Sequence, residues 1–184
     1  MENINTMAKN IGLLLCFFLL HLSVGSVGNN SVRDCLVGCA KDEIGVKEKT
    51  GNNDGKRVEQ YLRHTGLPKG FPWCAACQSF IYSKCGVQNP NSAYCPDWFK
   101  ASKVIYQRGL KGKDKFEGER GDVFGIWFQE KNRIAHMGMI ESVEGNLVVT
   151  LEGNTGGDGG RDGDGFYRKY RLKNQIFTVA NYTR

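Results

Sequence analysis

Two thiols, Cys74 and Cys77, stand three residues apart in Trp73-Cys74-Ala75-Ala76-Cys77, directly after Pro72. The run 74–85 reads as a helix, apolar around most of its circumference and therefore buried. A thiol in the first turn of a helix lies among unpaired backbone N–H groups, at the positive end of the helix dipole. Both favour the thiolate, the form of cysteine that attacks a carbonyl carbon. The same letters also spell C-x-x-C, the pattern of a redox dithiol. The two chemistries need different companions. A nucleophile needs a base within hydrogen-bond reach and a third group that orients the base.

Beyond residue 28 the chain has two histidines. His64, in Arg63-His64-Thr65-Gly66, falls at the end of a polar helix, where the negative helix terminus favours a solvated imidazole. His136, in Ile134-Ala135-His136-Met137-Gly138-Met139-Ile140, falls inside a strand. Glu144-Gly145-Asn146 reads as a three-residue hairpin loop, which pairs Val143 with Leu147. In that register His136 faces Asn154 and Gly138 faces Glu152, so His136, Glu152 and Asn154 share one face. The other face carries Met137, Met139, Val143, Leu147, Val149 and Leu151, a coherent apolar surface. A two-residue loop would slip the register by one and separate His136 from Glu152. Gly138 leaves room beside the imidazole, and either Glu152 or Asn154 can orient it. The set fits acyl transfer or amide hydrolysis: Cys74 as nucleophile, His136 as base and acid, Glu152 and Asn154 as orienting groups, and the helix-start N–H groups as an oxyanion site.

Positioning these residues takes two kinds of element. From about Ser31 to Gly109 the patterns are helical, with Ser31 and Asp34 at the first N-terminus and Asp54 as cap of a second helix through Val58, Tyr61 and Leu62. Five strands follow, at 122–128, 135–143, 147–152, 166–172 and 176–182, rich in β-branched and aromatic residues. Helices followed by strands indicate an α+β domain. Residues 153–165, dense in Gly and Asp, read as a loop. Its Asp158, Asp162 and Asp164 lack the spacing and closing Glu of a calcium loop. Trp127 and Phe128 read as core, Tyr94 and Trp98 as groove or loop anchors, and Arg168, Lys169 and Arg171 as a solvated face.

Pro72-Trp73-Cys74-Ala75-Ala76, Gly121-Asp122-Val123, His136-Met137-Gly138-Met139-Ile140 and Glu152-Gly153-Asn154, in that order, resemble the CHAP family. These cysteine, histidine-dependent amidohydrolases/peptidases are papain-like enzymes of bacterial and phage cell-wall cleavage. Glu43-Ile44-Gly45 and Thr50-Gly51-Asn52-Asn53 resemble the opening of a bacterial branch. The resemblance spans residues 35–183. It implies N-terminal helices packed on an antiparallel sheet of about five strands, with peptidoglycan as substrate. The bond cut would lie in the peptide stem or bridge, or between muramic acid and L-alanine. It implies Cys74, His136, and Glu152 or Asn154 as site residues, and no cofactor or metal. Cys77 departs from the pattern, since relatives usually have Phe there. A Cys74–Cys77 disulfide would inactivate the site.

The N-terminus has Lys9, an apolar run over 11–22 and then small residues through Gly28, the order of a secretory signal peptide. The run is shorter than the ~20 residues that span a bilayer. Neither Cys16 nor Cys35 follows the small residue that bacterial lipid attachment requires. Residues 1–28 are expected as signal peptide and 29–184 as one catalytic domain, a monomer that is periplasmic or secreted. Glu2 and Lys9 cancel, so the mature chain keeps the net charge of +6. That excess suits an anionic polymer. No Lys/Arg block with interleaved aromatics points to nucleic acid. Cys35, Cys39, Cys85 and Cys95 are candidates for disulfides of undetermined connectivity. Two rivals remain: a thioredoxin-like dithiol oxidoreductase using Cys74 and Cys77, disfavoured because no proline follows Pro96 to pack on the dithiol, and a non-catalytic wall-binding domain.

Overall fold

The computed structural model describes residues 24–156 and 163–184. Three helices come first: α1 (Val24–Lys41), α2 (Lys56–His64) and α3 (Cys74–Lys84). Six strands follow: β1 (Val104–Gln107), β2 (Val123–Phe128), β3 (Arg133–Glu144), β4 (Leu147–Thr155), β5 (Gly165–Leu172) and β6 (Thr178–Ala180). They form one antiparallel sheet of order β1-β6-β2-β3-β4-β5, so the domain is α+β. The expected cleavage point after Gly28 falls within α1, and residues 1–23 of the expected leader lie outside the described residues.

The helices bury their apolar stripes against one face of the sheet. Leu36, Val37 and Ala40 of α1, Val58, Tyr61 and Leu62 of α2, and Ile81 and Tyr82 of α3 meet Met137, Met139 and Leu151 in one core. A second, smaller core joins Tyr106, Phe124, Ile140, Val148, Ile176 and Val179, with Phe116 packed against it. Buried Arg33 ties α1 to the start of β2. It donates to the Arg120 carbonyl and to Asp122 Oδ1 (3.0 Å), and it also pairs with Glu119. Asp122 Oδ2 in turn accepts from the Glu119 N–H at 2.9 Å. Burial pushes the Asp122 carboxyl up to about 6, against the lowering effect of Arg33. Gly121-Asp122 is thus explained by tethering rather than by chemistry.

Several expectations need correction. Ser31 and Asp34, expected at the N-terminus of the first helix, lie inside α1, which begins at Val24, and residues 153–155, expected in a loop, continue β4. Val104–Gln107, read as part of the helical half, is an edge strand paired with β6. Four residues are too few to show a period of two. Asp54 does not cap α2; its carboxylate accepts from Thr50 N–H and Oγ1 and closes the preceding turn, leaving Gly55 as the N-cap. Trp127 is 37% exposed rather than core. The last concerns the β3–β4 hairpin. Glu144 pairs with Leu147, so the turn has two residues and the register begins one step off. A bulge between Ile140 and Ser142 restores it, giving Ile140 opposite Thr150 and Met139 opposite Leu151. The extra residue cancels the slip before the strand reaches His136. It also moves Val143 off the methionine face and into the second core.

A disulfide joins Cys35 of α1 to Cys85 at the end of α3, 50 residues apart. The Cys39 Sγ, one turn along α1, lies 3.7 Å from that of Cys85. Replacing Cys35 and Cys39 together with serine should lower the unfolding free energy by about 2–4 kcal/mol, the usual range for a crosslink closing a loop of this order. Cys35→Ser alone should lose less, because Cys39 can then pair with Cys85. Urea melts and disulfide mapping check both outcomes.

Candidate active site

Cys74 opens α3, and the chain entering that helix is held on three sides. The Trp73 N–H donates to Asn154 Oδ1 at 3.0 Å, and its indole N–H donates to Glu48 Oε1 at 2.8 Å. Asn154 Nδ2 donates to Asn53 Oδ1 and to the Gly163 carbonyl, both at 3.1 Å, and to Glu48 Oε1 at 3.3 Å. Asn154 adopts φ 56°, a left-handed conformation that asparagine tolerates better than most side chains. Its amide is therefore committed to the approach to α3 and not to His136. A Cβ on Gly153 would lie 2.5 Å from the Trp73 ring and 2.6 Å from Cys77 Sγ, so β4 passes this close only as glycine. The Thr50-Gly51-Asn52-Asn53 stretch belongs to the same assembly, since Asn53 N–H donates to Glu48 Oε2 at 2.8 Å.

His136 Nε2 lies 2.8 Å from Glu152 Oε2, and both side chains are buried. Glu152 is also bound by Arg171, whose Nε and a terminal nitrogen donate at 2.6 and 2.5 Å, and by the Thr150 hydroxyl at 2.5 Å. Burial opposes its charge, but Arg171 and His136 outweigh that and hold the carboxyl down to about 2. An ionised carboxylate only accepts, so Nε2 is the protonated donor and Nδ1 is the nitrogen left for the thiol. Burial likewise opposes charging His136, yet the Cys74 thiol and the Glu152 carboxylate push it up to about 9. The Cys74 thiol is held well below its ordinary range by the Cys95 thiol and then by His136, with the Met137 N–H adding to the effect and burial opposing it. Both shifts run towards the charged forms, thiolate for Cys74 and imidazolium for His136.

A Cβ on Gly138 would lie 2.7 Å from Glu152 Cγ and 2.9 Å from the Leu151 carbonyl. Gly138→Ala should therefore displace Glu152 from His136. We expect about 1–3 kcal/mol of destabilisation from the overpacking, read by urea unfolding. We also expect ~10–100-fold slower alkylation of Cys74 by iodoacetamide at neutral pH, the scale of effect that follows misplacement of a reacting group by about 1 Å.

Cys77 Sγ donates to the Cys74 carbonyl at 3.0 Å within the core, and burial raises its thiol well above the ordinary value. The Cys74 Sγ is in contact with that of Cys95, at 3.4 Å. Cys95 begins a short 3-10 helix, Cys95–Trp98, and is buried. Cys74, Cys95, His136, Asn154 and Arg171 line a cleft of about 710 Å³. Its rim carries Phe71 and Tyr94, both about half exposed, with the Arg133 guanidinium 5.1 Å from the centre of the Tyr94 ring. His64 is not part of this cleft; its Nε2 pairs with Ser83 Oγ at 3.0 Å.

The chain is similar in structure to the peptidoglycan hydrolase RipB from Mycobacterium tuberculosis. The two are 12% identical, with 85% of this chain and 67% of RipB covered and a TM-score of 0.47. It is also similar to Ly7917 (13% identity, 82% of this chain and 62% of that chain, TM-score 0.46). For Ly7917 with the hydrolyzing product of MDP the figures are 13%, 82%, 63% and 0.42. The chain thus spans less than two thirds of the length of Ly7917. No protein-family model and no curated protein matches it.

Sequence reasoning missed three contributors. Sequence pattern assigns Arg171 to a solvated face, because a charged residue alternating with aromatics on a strand usually faces water. Here β5 pairs Arg171 with Val148, which puts it on the Glu152 face. Thr150 carried no signal beyond sharing parity with Glu152. In sequence Cys95 is a disulfide candidate, and only the fold brings it to Cys74. Among the described residues, Cys35, Cys39 and Cys85 form the one cluster with metal-like proximity, and two of them are joined in the disulfide. Asp158 and Asp162 lie outside the described residues, and Asp164 pairs with Lys47 and Tyr167.

Proposed function

We propose that this chain is an exported cysteine hydrolase of the CHAP type that cleaves amide bonds in peptidoglycan. It acts as an endopeptidase of the stem or bridge, or as an N-acetylmuramoyl-L-alanine amidase. One observation supports the reading: the bond of His136 Nε2 to buried Glu152, which leaves Nδ1 free for the thiol at the first turn of α3. In this mechanism the Cys74 thiolate attacks the amide carbonyl carbon. The oxyanion is received by the N–H groups at the start of α3. His136 gives its proton to the leaving amine nitrogen as the C–N bond breaks, leaving a thioester on Cys74. His136 then takes a proton from water, the hydroxide attacks the thioester, and the carboxylic acid departs with the thiolate restored. Glu152, braced by Arg171 and Thr150, keeps the imidazole in one tautomer and stabilises its charged form. Asn154 is a positioning residue that fixes Trp73 and the start of α3.

Export fits the order of residues 1–28 and the Cys35–Cys85 disulfide, which suits an oxidising compartment. No helix among the described residues is long and apolar enough to cross a membrane. The net charge of +6 suits an anionic wall polymer. The test is digestion of purified sacculi by the protein before and after alkylation with iodoacetamide mapped to Cys74, with products identified by mass spectrometry. Fragments bearing a newly cut amide, absent after alkylation, support the reading. No amide cleavage, or cleavage indifferent to alkylation, overturns it.

A further inference from the structure

We infer that Cys74 and Cys95 form a reversible redox site, in which a disulfide-bearing oxidant closes a Cys74–Cys95 bond and switches the nucleophile off. The two Sγ atoms are 3.4 Å apart, in contact but unbonded. A disulfide places them about 2.05 Å apart, so closure requires a shift of about 1.3 Å shared between two side chains. Cys95 belongs to a separate segment, so this shift does not require α3 to unwind. The segment is short, and the preceding residue, Tyr94, stands half exposed on the cleft rim. Cys77, the partner that sequence spacing suggests, is placed less well. Its Sγ is bonded to the Cys74 carbonyl and lodged where a Cβ on Gly153 would collide with it. Both thiols of the proposed pair line the cleft, which gives a small disulfide access to them.

The exchange proceeds in two displacements. The Cys74 thiolate attacks one sulfur of the oxidant R–S–S–R, forming a mixed disulfide and releasing one thiol, RSH, once it gains a proton. Cys95, losing its proton, then attacks Cys74 Sγ and releases the second RSH. The two protein sulfurs lose two electrons and the external disulfide gains them; of the two protons on the released thiols, one comes from the His136 imidazolium and one from Cys95. Cys95 thus acts as the resolving thiol. The bond converts the attacking thiolate into a neutral disulfide sulfur that does not add to an amide carbonyl, and a dithiol reductant reverses it. That closure silences hydrolysis rests on the function proposed above; that the bond forms does not.

The experiment treats the reduced full chain with oxidised glutathione, blocks free thiols, maps disulfides by fragmentation mass spectrometry and assays sacculi in parallel. The expected result is a Cys74–Cys95 link that survives Cys77→Ala, with activity lost as it forms and regained with dithiothreitol. In Cys95→Ser, Cys74 should instead retain glutathione, with no internal link to Cys74. A wild-type protein in which Cys74 holds only glutathione, pairs with Cys77 or stays reduced overturns the inference, whatever Cys95→Ser does. If the link forms in a protein that never cuts sacculi, the redox site stands and the hydrolase reading falls. If sacculi are cut and no link forms, the reverse holds.

Discussion

Cys74→Ala should lower release of peptidoglycan fragments by ~10⁴-fold or more, to the level of untreated sacculi, because it removes the thiol that carries the acyl intermediate, and the Cys95 thiol is held well above its ordinary range. Cys77→Ala should leave release within about a factor of three and cost about 1 kcal/mol of stability, the typical cost of a single substitution. The contrast follows from placement. Cys74 begins α3, where the Cys95 thiol, then His136 and the Met137 N–H, favour its charged form against burial. Cys77 is fully buried one turn later, and burial disfavours its thiolate. A dithiol oxidoreductase would need both thiols and cut no amide, so a wild-type protein that releases no fragments but reduces disulfides, with that reduction lost equally in the two variants, would sink the hydrolase reading in favour of that rival. Release assays on sacculi, with urea melts to check folding, separate the cases.

What could be read from sequence here was what repeats locally. Alternation along β3 and β4 placed His136 and Glu152 on one face, and the apolar face of Met137, Met139 and Leu151 fixed which way the strands turn. Local pattern could not show that a two-residue turn and a bulge would offset each other. The inferred face was right at His136 while the inferred loop was wrong, because the hydrophobic requirement at Met137 and Met139 constrains the strand more strongly than the turn does. Asn154 shows another limit. It has the parity of Glu152, but its left-handed backbone and its bonds to Trp73, Asn53 and Glu48 depend on loops more than 80 residues away in sequence. Arg171 and Cys95 were illegible for the same reason. A charged strand residue and an isolated cysteine gain meaning only from the partner that tertiary pairing supplies.

Glu152→Gln should retain the fold and lower kcat/KM by ~10²–10⁴-fold, the scale on which a positioned acid–base group and its orienting carboxylate contribute. A glutamine can still accept from His136 Nε2 and Arg171, but it supplies no charge to stabilise the imidazolium. The pH profile is the sharper readout. In the wild-type protein the thiolate–imidazolium pair is the attacking form. Activity should fall as pH rises through about 9, where His136 loses its proton, and on the acid side only where Cys74 regains one, well below its ordinary range. In Glu152→Gln the alkaline limb should move to lower pH, because the carboxylate that raised His136 is gone. Stability follows the same groups with opposite signs. His136 is raised from 6.5 to about 9, so its contribution is complete below pH 6.5 and is lost as pH rises through 9. Glu152 is depressed from 4.5 to about 2, so its contribution is present above pH 4.5 and is lost as pH falls towards 2. The variant should flatten both slopes in pH-resolved urea melts. A variant that loses activity with both the alkaline limb and the slopes unchanged would show that Glu152 holds the strand and does not tune His136.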